Sequence, residues 1–457
     1  VNDDLKKWLP WIAVAAVAII VIIIIAVNSG GDDEASATTT TAASETTTTA
    51  VEDTTTTSTA EDTTTTSEAA PVPGEALKLA SLLPITGDLS AFGPGMAQAV
   101  ELAVAEANAA GGVHGGDVTL KGFDSATNPD TAQAEAAKII AEGFQAEVGA
   151  ASSGISLTVL PDLTGSNVLM ISPSNTSPQF TDVDSGGLYF RTAPSDALQG
   201  EYTAALLAAG SASKVGIIFR QDSYGEGLTQ AFKDNFEGEI VIEVPYNPEE
   251  LDAATIVTQV VNAGPEAILF IGFPETGVPI HQEAFKQELL KADQSIPWFY
   301  TDGLLDPTFV ESTGLDAALF TGFSGTAPGS EENTASTQFA ERYIGATGGE
   351  FTLFAPQSYD AAWLVILAAQ ASDGTTAGIQ AAMVGVSKGG EKCIAEECLG
   401  LLLQDPATDI DYVGASGEID FKDGSGDPGT SLYQVWSFSA DGGTQQDQLA
   451  SDPSDIK

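Results

Sequence analysis

The chain is poor in the residues on which much enzyme chemistry depends. Its 457 residues include two Cys and two His, so a zinc cluster or a histidine-driven hydrolase has little to draw on. Cations are scarce as well: 16 Lys and Arg stand against 64 Asp and Glu, a formal charge of −48. Nucleic acid and anionic lipid surfaces repel such a body. No Cys lies near the apolar run at residues 8–27, so no lipid can be attached there through a cysteine. No motif calls for a cofactor. GPGMAQ at 93–98 is half of a dinucleotide fingerprint and is interrupted by Pro, which excludes it.

What is present is apolar and orderly. Hydrophobic residues make up 43% of the chain, and the length predicts two or more domains. WLPWIAVAAVAIIVIIIIAV, at 8–27, carries no charge. About 20 such residues span a bilayer core, whereas the apolar part of a cleaved signal is about 7–15 residues long. Residues 1–30 are therefore expected to form an uncleaved transmembrane anchor. Lys6 and Lys7 precede the run and acids follow it, which places the remainder outside the cytoplasm. Residues 31–74 repeat TTTT among Ala, Ser, Glu and Asp. They cannot bury a core and are expected to form a disordered stalk, either a plain tether or a glycosylated one.

From Leu77 strands alternate with helices. LKLASLLPI, VTLKGFD, QAEVGA and VLMIS read as strands in the first half, and KVGIIF, AILFIG and PWFY in the second. Residues 94–110 read as a helix with Pro in its first turn and Met96, Val100, Ala103 and Ala107 on one face. This alternation predicts an α/β protein with parallel sheets covered on both faces. Ligands in such sheets bind beyond the carboxyl ends of the strands. Here six of those ends turn polar or aromatic: TGDLSAFG (86–93), SSG (152–154), SPSNTS (172–177), RQDSYGEG (220–227), FPETG (273–277) and TDG (301–303). Six such ends together predict a shared cleft.

The candidate residues have readable chemistry. Ser153, beside a helix start, offers a hydroxyl and backbone N–H groups to an anion; it reads equally as an N-cap. The Thr176 hydroxyl can accept from an ammonium, or merely close a turn. Asp302 can pair with an ammonium, or be a solvated turn acid. Phe92, Tyr224, Phe273 and Phe354 can line an apolar pocket, or be core.

At these residues the chain resembles the type I periplasmic binding proteins, in the Leu/Ile/Val-binding branch that serves ABC transporters. The likeness runs from about Leu77 to about Trp436, through LLPITGDLSAFGPG, ELAVAEANAAGGVHG, EVGAASSGIS, VLMISPSNTSPQFT, YFRTAPSDALQG, IIFRQDSYGEG and GEIDFKDGSGDP. It implies two Rossmann-like lobes with a hinge of three crossings near Ser195, Thr326 and Gly426. Lobe 1 would comprise 75–195 and 327–425, lobe 2 196–326 and 426–450. It further implies that Ser153 and the Thr176 backbone hold a ligand carboxylate. The Ser174 carbonyl, the Thr176 hydroxyl and Asp302 would hold its ammonium, and Phe92, Tyr224, Phe273 and Phe354 its side chain. The expected protein is a monomeric, extracytoplasmic amino-acid receptor that partners an ABC permease and is held to the membrane by its N-terminal helix. The alternative is a surface receptor or sensor ectodomain for an amide or other small molecule.

AxSxG at 150–154 faintly resembles a nucleophile elbow, but neither His114 nor His281 lies in a motif that would complete a triad. Cys393 and Cys398, on the side assigned to an oxidising exterior, are expected to form a disulfide.

Overall fold

The computed structural model describes residues 74–291, 296–330, 332–349 and 351–456. The anchor and nearly all of the stalk expected at 1–74 lie outside these residues. Among the described residues no helix is long and apolar enough to cross a membrane.

Two sheets organise the body. β1 (Lys78–Leu83) lies between β2 (Thr119–Asp124) and β3 (Ala146–Gly149), and β4 (Leu169–Ser172) and β5 (Tyr189–Arg191) extend the sheet beyond β3. All four pairings are parallel. β1, β3 and β4 are buried nearly throughout, as expected of strands covered on both faces. The second sheet contains β6 (Lys214–Arg220), β7 (Glu239–Tyr246), β8 (Ala267–Ile271), β9 (Trp298–Tyr300) and β10 (Ser324–Gly329), followed by β14 (Leu432–Phe438) and β15 (Thr444–Ala450). Its order is β15-β14-β10-β9-β8-β6-β7. β14 and β15 run antiparallel to their neighbours, so this sheet is mixed and not wholly parallel as the alternation predicted.

The chain crosses between the sheets three times. The first crossing follows Arg191 and ends at Ser195, which caps the helix Asp196–Ala209. Thr326 pairs with Val435 inside β10, which ends at Gly329, so the second crossing follows a few residues after Thr326. The Gly426 carbonyl still accepts from the Arg191 N–H. The third crossing therefore runs from there to Leu432.

The helix Gly93–Ala110 buries Met96, Val100, Ala103 and Ala107, the face that the spacing predicts. It packs against the helix Ala355–Gln370, buried along its whole length. The polar residues of that helix are enclosed as well and find partners inside the fold: Ser358 Oγ donates to the Phe354 carbonyl, and Asp360 accepts from Tyr412 Oη and the Ala415 N–H. A small third sheet joins β11 (Glu391–Cys393) to β12 (Ile410–Gly414) and β13 (Gly417–Glu418). Cys393 and Cys398 form the expected disulfide, with Cα atoms 5.1 Å apart, which ties the end of β11 to the following helix.

Candidate functional site

The polar strand ends converge. Loops after β1, β3, β4, β6, β8 and β9 bring Leu89, Phe92, Met96, Ser152, Ser153, Ser174, Tyr224, Phe273, Asp302 and Gly303 around one cavity, and Phe354 closes it. Every residue expected at the site lies on its wall except Thr176. The cavity measures about 20 Å³, roughly the room one water needs. An amino acid can enter only if the walls part. A larger opening of about 340 Å³ lies near the crossings, lined by residues such as Pro194, Pro328 and Gln357; it gathers none of the strand ends that meet here.

On the first-sheet side, the hydroxyl and amide cluster after β4 mainly stitches two strand ends together. The Ser172 hydroxyl donates to the Ala150 carbonyl at 2.7 Å and accepts from the N–H groups of Ser174 and Asn175. Ser174 Oγ and Asn175 Nδ2 donate to the Ala151 carbonyl at 3.0 and 2.9 Å. Arg191, fully buried, donates to the carbonyls of Asn175 and Ser177 and pairs with Asp427 at 2.7 Å. This ties down the far side of the loop. Ser153 is the first residue of the helix Ser153–Gly165, and Ser152 occupies the cap position without a capping side-chain bond. Ser153 is thus not the N-cap. Its hydroxyl accepts only a long bond, 3.3 Å, from the Ser177 N–H.

Thr176 is not among the residues that line the cavity. Its carbonyl accepts from the Asp196 N–H at 2.7 Å, and its buried hydroxyl, near the Asp196 carboxyl, has no hydrogen-bond partner among the described residues.

On the second-sheet side, Asp302 opens a short 3₁₀ turn after β9 and is 3% exposed. Its Oδ1 accepts from Tyr224 Oη at 2.9 Å and from Gln199 Nε2 at 3.0 Å. Tyr224 Oη also accepts from the Gly303 N–H, and it meets Thr301 Oγ1 at 2.9 Å. Among the described residues no Lys or Arg pairs with Asp302. Burial pushes its carboxyl up to about 6, against the pull of Tyr224 and Gln199. Behind it, Asp196 is fully buried with neither carboxylate oxygen hydrogen-bonded. Burial raises Asp196 well above the usual carboxylate range and the Asp302 charge raises it further, opposed by the nearby Thr176 hydroxyl and Arg191. Sequence reasoning missed both Gln199 and Asp196. SDALQG reads as a capped helix start, and nothing local says that the helix backs onto a strand end distant in sequence.

The aromatic wall is ordered. The Tyr224 and Phe273 rings stack at 5.3 Å. After β8 the chain passes almost directly into a helix: Pro274 starts the helix Pro274–Lys286, with Phe273 at its cap. Phe354 has φ 65°, a left-handed conformation that a bulky side chain rarely takes and that clusters at functional sites. Neither His lies on the cavity wall with Ser152, the serine of AxSxG. His281 bonds the Gly277 carbonyl and Tyr300 Oη inside an aromatic cluster, and His114 bonds the Ala369 carbonyl.

Residues 76–390 match the family model described as periplasmic binding protein. The chain belongs to the type I periplasmic binding proteins. Its relatives lie in the Leu/Ile/Val-binding branch. It is 34% identical over 202 residues to Leu/Ile/Val-binding protein homolog 3 of Brucella melitensis, a match covering 43% of this chain and 54% of that one. The chain thus spans about half the length of that relative. It is 26% identical over 361 residues to BasB, the chemotactic signal transduction system substrate-binding protein of Halobacterium salinarum, covering 76% and 84% of the two chains. The solved structure of the leucine-binding protein LivK from Thermotoga maritima superposes with a TM-score of 0.69 at 21% identity, covering 83% of this chain and 100% of that one. This likeness establishes the two-lobed periplasmic binding protein fold.

Proposed function

We propose that the protein is the substrate-binding component of an ABC importer, and that it captures a zwitterionic amino acid with an apolar side chain between its lobes. One observation carries this reading. Asp302 is a buried carboxylate at the edge of an aromatic-lined cavity, held by two donors and paired with no cation among the described residues. A buried carboxylate is costly unless a positive partner reaches it, and an α-ammonium supplies that partner. In this reading Ser153 and the free N–H groups at its helix start take the α-carboxylate, together with the Thr176 backbone. The Ser174 carbonyl assists at the ammonium. Phe92, Tyr224, Phe273 and Phe354 receive the side chain. The protein acts as a monomer outside the cytoplasm, with residues 8–27 as its membrane anchor and a permease as its partner.

A second reading, a receptor that reports on its ligand without transporting it, is supported by the likeness to a chemotactic binding protein along most of both chains. A thermal-shift screen of amino acids, amides and aromatic acids tests the ligand class. Apolar L-amino acids should raise the melting temperature by mass action. Stabilisation by amides or aromatic acids alone would contradict the zwitterion reading. Uptake of labelled ligand by cells with and without the gene separates transport from sensing.

A further inference from the structure

The mouth of the cleft carries an arrangement that ligand contact alone does not explain. Arg220 ends β6 with its side chain only 4% exposed. Its guanidinium makes three contacts of different kinds. Nε donates to Asp222 Oδ2 at 2.6 Å. Nη1 reaches across the cleft to Asp88 Oδ2 at 3.3 Å, in the loop after β1. The guanidinium carbon also lies 3.9 Å from the centre of the Phe273 ring.

Each contact leads to a wall of the cavity. Asp222 caps the helix Ser223–Asn235, its Oδ1 accepting from the Tyr224 and Gly225 N–H groups; that helix start carries Tyr224. Phe273 is itself a wall residue and stacks on Tyr224. Asp88 lies one residue before Leu89 on the opposite wall. Beside this contact a second bond spans the same gap, from Ser90 Oγ to Glu275 Oε1 at 2.6 Å.

We propose that Arg220 is a positioning residue that couples closure of the lobes to the shape of the binding cavity. With the lobes together, Asp88 completes the partners of a buried guanidinium that already holds Phe273 and the Tyr224 helix. With the lobes apart, that cation loses its cross-cleft carboxylate and the two aromatic rings lose a fixed support. A planar, forked guanidinium suits this role, because one group meets two carboxylates and a ring face at once. A lysine ammonium has no such fork. The inference rests on the reading of this cavity as the ligand site.

The test is a double-substitution cycle on Arg220→Gln and Asp88→Asn, with Arg220→Lys alongside. L-leucine is the probe for calorimetry and release kinetics, and small-angle X-ray scattering reads the ligand-free protein. Truncating one partner of a largely buried charge pair should weaken leucine binding about thirtyfold, mostly through faster release. Asp88→Asn, at the half-exposed end, should weaken it about fivefold. The double variant should bind no worse than Arg220→Gln alone, and Arg220→Lys should not restore affinity. Each single substitution should raise the radius of gyration of the free protein. A merely structural Arg220 would lower the melting temperature but leave the two effects on affinity additive. Additive effects together with unchanged radii overturn the proposal. If leucine and the other apolar amino acids bind none of the proteins, the ligand reading fails, and the scattering alone decides for or against the coupling.

Discussion

The two walls of the cleft are built differently. The wall from the first sheet presents hydroxyls and a helix start: Ser152, Ser153 and Ser174, on a loop whose side chains are largely spent on backbone carbonyls. Arg191, buried behind it, is neutralised within the fold by Asp427. The wall from the second sheet presents Asp302, a carboxylate paired with no cation among the described residues, backed by Asp196 and flanked by stacked rings. One wall offers donors to an anion and the other offers charge to a cation. A ligand that carries both groups, a few bonds apart, is matched only when the walls meet. Affinity and closure are then one event.

Breaking the charged wall should cost most. Asp302→Ala should weaken amino-acid binding by about 2–5 kcal/mol, since it leaves an ammonium buried without its counter-charge. Calorimetry giving an unchanged Kd would remove the charged wall from the account. Breaking the neutral wall should cost less. Ser153→Ala removes one hydrogen bond to a charged group and should cost about 1.5–3 kcal/mol, with backbone donors keeping the carboxylate in place. A larger loss than at Asp302 would invert the comparison.

Acid should act on one wall only. Burial sets the Asp302 carboxyl at about 6, and an ammonium binds its ionised form. Affinity should therefore be level above this pH and fall up to about tenfold per unit below it. For the ligand-free protein the sign is reversed. A carboxyl raised above its unfolded value near 3.9 contributes stability below that value, and this is lost as pH rises through about 6. Ligand titrations across pH 4–8 check the affinity profile, and denaturant melts of the free protein check the stability profile.

The smallest effect on binding should come from His281, which lies behind the second wall against Tyr300. Burial lowers it to about 4. Its contribution to stability is present above the unfolded value near 6.5 and is lost as pH falls toward 4, by up to about 1.4 kcal/mol per unit. His281→Gln should flatten that part of the stability profile and leave affinity unchanged. A parallel loss of affinity would tie the aromatic cluster to the site.

The sequence reveals more of the walls than of what stands behind them. Strand ends that turn from apolar to Ser, Tyr, Phe or Asp are local signals, and those of β1, β3, β4, β6, β8 and β9 do meet. The backing of the site is not local. Gln199 reaches Asp302 and the Thr326 carbonyl from a helix beyond a crossing. The Asp88–Arg220 contact joins residues 132 positions apart. Ser153 was legible as a helix-start serine, but whether it was cap or first turn depended on backbone angles. The helix Ala355–Gln370 is buried on every side, polar residues included, so it has no solvent face for amphipathic spacing to mark, and the β14–β15 hairpin lies outside the alternation that signals a parallel sheet. Phe354 gives no hint in sequence of its left-handed backbone.

The most direct test of a cleft with one wall for each charge is to offer it half a zwitterion at a time. Calorimetry would compare L-leucine with 4-methylpentanoate, which lacks the ammonium, and with 3-methylbutylamine, which lacks the carboxylate. Each analogue should lose about 2–5 kcal/mol relative to leucine, because each leaves a buried polar wall unmatched. Binding of 4-methylpentanoate as tight as that of leucine would contradict the account, since Asp302 would then face no positive charge.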